Sequence, residues 1–112
     1  MLDKDMKDTI NAFFNKLKYI EESRTATDAL ISSLNENRRG LTQRLKDSLK
    51  DYLFESIHVN IGYTEKKFIE FSIKFFDENE RDRFIKNHSE LNDYITEGLE
   101  PAEIAIFLDH GV

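Results

Sequence analysis

Cysteine is absent from the 112 residues, which removes disulfides, thiolate metal sites and thiol nucleophiles together and suits a reducing compartment. Tryptophan is absent as well, and Pro101 is the only proline. No linker or low-complexity tract is visible. The four glycines stand alone at 40, 62, 98 and 111, so no glycine-rich loop can cradle a phosphate, and no G-x-S-x-G turn presents a serine nucleophile. No apolar run approaches the ~18 residues of a membrane span, and Met1 to Asp8 is a charged mixture without the apolar core of a signal peptide. The expected setting is therefore the cytoplasm, with no membrane association. The three histidines, His58, His88 and His110, lie far apart with no His or Cys at ligand spacing. The stretch from Asp77 fails as a calcium loop, with Arg81 at its fifth position, Asp82 where glycine belongs and His88 where the bidentate Glu belongs. No metal and no cofactor are expected. No residue is nominated as catalytic, and an enzyme ranks last among the function classes weighed.

What the chain does have is charge, at 34% of residues, and aromatic bulk, at 12% with nine Phe. The aromatics supply burial that a disordered chain of this charge would lack, so residues 1–112 are expected to fold as a single domain. Ile57, Val59, Ile61 and Tyr63 alternate with polar residues, as do Ile69, Phe71, Ile73 and Phe75. This two-residue rhythm predicts an antiparallel β-hairpin, 57–63 with 68–76, that is oily on one side only. Met6, Ile10, Phe13, Leu17 and Ile20 place an apolar stripe on a helix over about 2–23. Leu30, Ile31 and Leu34 open a second helix, 26–36, and Leu41, Leu45, Leu49, Tyr52 and Leu53 a third, 41–55. Asn35, Asn37 and Gly40 between them are turn chemistry, which favours a break at Gly40 over one long helix. Asp77 with Glu80 three residues later forms a capping box for a helix over 78–97, its stripe being Phe84, His88, Leu91 and Ile95. For 101–110 a short helix is preferred to a strand, because Pro101 and Gly111 flank it as helix punctuation. The fold class is thus α+β, a helix-rich domain whose two-stranded hairpin packs on helices.

Net charge is −6 but unevenly placed: residues 1–74 hold 13 Lys or Arg against 12 Asp or Glu, and residues 75–112 hold 3 against 10. A one-signed surface recruits a basic partner and repels phosphate. Asp77, Glu78, Glu80, Asp82, Asp93 and Glu97 are therefore the candidate partner-binding residues. The leading expectation is an acidic interaction domain that inhibits or regulates a nuclease, a toxin or a nucleic-acid-binding enzyme, as an immunity protein, antitoxin or phage anti-defence factor would. The composition, heavy in Lys, Asn, Ile and Phe, is compatible with a phage or other mobile-element source. Against this stands a basic cluster of Arg38, Arg39, Gln43, Arg44, Lys46 and Lys50, with Lys66 and Lys67 at the hairpin tip. With helices on either side of Gly40 and a hairpin after them, the element order over residues 1–97 resembles a winged-helix DNA-binding domain. That resemblance implies a transcription regulator whose helix after Gly40 enters the major groove while Lys66 and Lys67 touch phosphate. A homodimer is a further expectation, since an outward hairpin edge can pair with its copy.

Overall fold

A computed structural model describes residues 1–23, 27–62, 67–98 and 100–109, the side chains of 19–23, 27–30 and 97 excepted. In chain order it contains α1 (Lys4–Ser23), α2 (Thr27–Ser48), β1 (Phe54–Gly62), β2 (Phe68–Phe75), α3 (Glu78–Asn87), a 3-10 turn (Ser89–Leu91), β3 (Ile95–Glu97) and β4 (Glu103–Leu108). Three helices accompany one antiparallel four-stranded sheet of order β1-β2-β4-β3. No helix among the described residues is long and apolar enough to cross a membrane.

α1 begins where the Asp3 carboxylate accepts a hydrogen bond from Met6 N at 2.9 Å, satisfying an amide that the helix itself cannot. Its stripe Met6, Ile10, Phe13 and Leu17 is buried throughout, joined by Leu2. α2 does not break at Gly40. Leu34 and Leu41 are seven residues apart, close to two turns, so both face inward with Leu45 and Leu49. Glycine in mid-helix costs about 1 kcal/mol relative to alanine, and the four buried leucines, at about 2 kcal/mol each, outweigh it. Asn37, instead of turning the chain, donates to Ser33 O one turn back at 2.7 Å. The helix ends at Ser48, not near residue 55. Leu49 and Tyr52 close a tight turn through Tyr52 N to Leu49 O, and Phe54 and Glu55 already belong to β1.

In the sheet, Ile57 pairs with Ile73, Val59 with Phe71 and Ile61 with Ile69 on the inner face, and His58 with Ser72 and Asn60 with Glu70 on the outer face. The alternation thus places the two strands as their rhythm requires, with an irregularity near Phe54. Tyr63 and the hairpin tip, Lys66 included, lie outside the described residues.

The strands are half of a larger sheet, and this corrects the expected two-stranded hairpin. Residues 103–108 are β4, not a helix, and they flank β2 with Ile69 opposite Leu108, Phe71 opposite Ile106 and Ile73 opposite Ile104. The reason is geometric: a helix would turn Ile106 about 200° away from Ile104, whereas a strand buries Ile104, Ile106 and Leu108 together. Nor does the helix after Asp77 reach residue 97. It stops at Asn87, His88 leaves helical geometry at φ −127°, and Leu91 enters the core from the 3-10 turn. Ile95 is then available to pair with Ile106 as part of β3. The β3–β4 turn is close at Gly98, where an added Cβ would come within 2.8 Å of the Glu103 backbone. The helices cover the inner face, and the outer face carries His58, Asn60, Glu70, Ser72 and Ala105, exposed or half-buried.

Candidate protein-interaction surface

α3 has one buried side chain, Phe84, which sits in a ring cluster with Tyr52, Phe75 and His88. One apolar contact row is a slight hold for a ten-residue helix, and polar groups supply the rest. Asp77 caps it in extended geometry, accepting from Glu80 N at 2.8 Å. The capping box is only half formed, because the Glu80 carboxylate does not return to Asp77. It accepts instead from Leu53 N at 2.7 Å and from Arg83 Nε at 2.9 Å. Arg83 in turn donates to Asp51 O at 2.6 Å and lies 4.3 Å over the Tyr52 ring, while Asn87 donates to the Tyr52 hydroxyl at 3.1 Å. Together these contacts clasp the α2–β1 connection to α3. Arg83, and after it the Leu53 amide, holds the Glu80 carboxyl below the usual carboxylate range. Glu80 correspondingly raises Arg83.

The six acids singled out from sequence are therefore differently employed. Asp77 caps, Glu80 is clasped and 18% exposed, and Asp82 pairs with Arg81 at 3.0 Å. Glu78 and Asp93 are exposed and have no ion-pair partner among the described residues. Glu97 belongs to β3, its side chain outside the described set. Asp77, Glu78, Glu80 and Asp82 come together on the first turns of α3, and Asp93 lies beyond its other end.

Of the basic residues, Arg38, Arg39 and Lys46 share an arc of about 100° on α2, all exposed, with Lys50 exposed just past its end. Arg44 is turned aside to Asp5 at 3.0 Å, and Gln43 donates to Asp47. Lys67 immediately precedes β2. Because α2 is continuous, the helix-turn-helix expected around Gly40 does not form, and the two strands expected as a wing are β1 and β2 of the four-stranded sheet.

Two residues that matter here were not singled out by charge. Leu53 is 63% exposed and Phe76 65% exposed. Phe76 follows Phe75, which takes the core position, and two consecutive residues of an extended chain cannot both face inward. Leu53 is expected on the inward helical stripe beside Tyr52, and it points outward because α2 ends at Ser48 and only Tyr52 of the two reaches the core. Elsewhere, an open cleft of about 460 Å³ lies between α3 and the β3–β4 end, floored by Ile85, Ile95 and Ile104 and rimmed by Arg81 and Glu103. His58 is on the open face of the sheet, His88 Nδ1 donates to Phe84 O at 3.0 Å, and His110 lies outside the described residues. Among the described residues no three His, Cys, Asp or Glu side chains gather as a metal site.

Set beside known protein families, curated proteins and solved structures, the chain matches none of them.

Proposed function

We propose that this is a protein-binding domain that docks on a basic partner through the acidic surface of its last third, from Asp77 onward, and so inhibits or regulates that partner. The observation behind the reading is the placement of charge: residues 75–112 hold ten acids against three bases, with Asp77, Glu78, Glu80 and Asp82 grouped at the start of α3 and the other six acids beyond its end. Carboxylates so arranged would occupy a groove built for phosphates, and their field would speed encounter with it. A nuclease, a toxin or a nucleic-acid-binding enzyme has such a groove. The test is charge reversal at Glu78 and Asp93. Against a partner captured from the native host, E78K/D93K is expected to associate about tenfold more slowly at low salt, with a melting temperature lowered only slightly, by the loss of Glu78 from the first turn of α3. Equal association rates would reject the reading.

A second reading rests on α2, whose Arg38, Arg39 and Lys46 face solvent without ion-pair partners among the described residues. Such a stripe would contact nucleic acid phosphates, with an affinity that falls steeply as salt rises. If duplex DNA gives no electrophoretic shift at low salt, or if R38E/R39E shifts it as the wild type does, this reading is removed.

A further inference from the structure

We propose that Leu53 and Phe76 form the apolar anchor of a docking site for a basic amphipathic segment of a partner protein; this rests on the acidic-surface reading and assigns that surface its centre. The two side chains are 63% and 65% exposed, and their backbones are joined, Phe76 N donating to Leu53 O at 3.0 Å. They therefore leave the molecule side by side, Leu53 just ahead of β1 and Phe76 just after β2. Neither can fold away. Tyr52 and Phe75, their chain neighbours, pack together in the ring cluster at 6.4 Å, and the Leu53 amide is held by Glu80 while Arg83 holds the carbonyl of Asp51. A fixed, adjacent pair of large apolar side chains is the form that interface anchors take, whereas single exposed apolar residues are common and mean little.

What surrounds the pair selects its partner. Asp51, Glu55, Asp77 and Glu78, each within two residues of Leu53 or Phe76, are all exposed. The cations nearby are Lys50, Lys74 and Arg83. Lys74 pairs with Glu55 and Glu100 and Arg83 with Glu80, which leaves Asp51 and Glu78 as rim acids without an ion pair among the described residues, beside Asp77, whose carboxylate also caps α3. An acidic rim disfavours nucleic acid, an anionic lipid surface and a second copy of this chain. It complements a segment that carries Leu, Ile or Phe among Lys and Arg. Burial of the apolar pair would then sit inside a ring of opposite charges, the usual anatomy of a small interface.

Three fluorescein-labelled synthetic helices of equal length test this on the full chain: one of Lys and Leu at amphipathic spacing, one with Gln for every Leu, and one with Glu for every Lys. The Lys-Leu helix is expected to bind, L53S/F76S to bind it about tenfold or more weakly, and amide shifts in the wild type to centre on residues 51–55 and 75–78. Should the variant melt lower than the wild type, the amide-shift map alone decides. Equal binding of the Lys-Gln and Lys-Leu helices overturns the anchor and keeps the charge reading, whereas equal binding of the Glu-Leu helix overturns both. Binding of no helix, or binding of phosphatidylserine vesicles that is lost in L53S/F76S, also overturns the proposal, the latter by giving the pair to a membrane.

Discussion

α2 and α3 both turn charge to solvent, but they are fixed by different forces. α2 lies on Leu34, Leu41 and Leu45, with Leu49 just past its end, all at 5% exposure or less. Its position is set by apolar burial, so Arg38, Arg39 and Lys46 are spare. α3 fully buries Phe84 alone, with Ile85 half-buried against the core, and is otherwise held by polar contacts of Asp77, Glu80, Arg81, Arg83 and Asn87. Some of its charge is therefore spent on holding the helix in place. The difference teaches that a count of acids along a chain overstates the acids left free, for Glu78 and Asp93 face solvent without an ion-pair partner among the described residues, whereas Glu80 is taken up by Leu53 N and Arg83.

The comparison breaks most readily at Phe84. If one ring carries the apolar hold of α3, Phe84→Ala should cost about 3–5 kcal/mol, and a urea melt within error of the wild type would refute it. Next comes the clasp. Glu80→Gln should lower the melting temperature at neutral pH by more than Asp82→Asn does, because Glu80 serves Leu53 N and Arg83 at once while Asp82 meets only its chain neighbour. The pH dependence has a definite sign. Glu80 titrates lower in the folded chain than when unfolded, so its contribution is complete above the ordinary Glu value of about 4.3 and is lost as pH falls through the depressed one. The gap between wild type and Glu80→Gln should therefore close on acidification; a gap that widens would refute the clasp.

α2 offers smaller and opposite effects. A Cβ at Gly40 would meet nothing nearer than Arg44 Nη1 at 3.7 Å, so Gly40→Ala should stabilise by about 1 kcal/mol. A loss of stability there would mean that the helix breaks after all. Smallest of all, Arg38→Gln, Arg39→Gln and Lys46→Gln should each stay within about 0.5 kcal/mol of the wild type in a chemical melt, since the leucines and not the cations seat this helix. Larger losses would show that the stripe is structural.

How much could be read in advance follows the range of the interactions. α1 and the β1–β2 pair were legible because Met6 to Leu17 and Ile57 to Phe75 each carry a local period that only one kind of element satisfies. The strand at Ile104, Ile106 and Leu108 showed the same alternation, but over six residues flanked by Pro101 and Gly111, and the flanks were weighted above the rhythm. β2 decided it, 35 residues earlier in the chain at the Phe71–Ile106 pairing. At Gly40 the turn residues were weighted above the preserved spacing from Leu34 to Leu41, and burial reversed that order. In the candidate site the Asp77 cap was legible, being three residues from its amide. The reach of Glu80 to Leu53 spans 27 residues, and no local pattern announces it. The exposure of Leu53 and Phe76 has the same origin, since it depends on which neighbours reach the core first.

The strand order also constrains the making of the protein. β4 is the last of the four strands to be synthesised, yet it sits between β2 and β3, so β2 waits with one row of amides and carbonyls unpaired until residues 103–108 have left the ribosome. β3, three residues long, has no strand partner at all before then. The nascent chain thus passes through a stage in which β2, with Ile69, Phe71, Ile73 and Phe75 on its inner face, is a sticky edge. A substitution that delays or weakens the docking of residues 103–108 should therefore promote aggregation during folding.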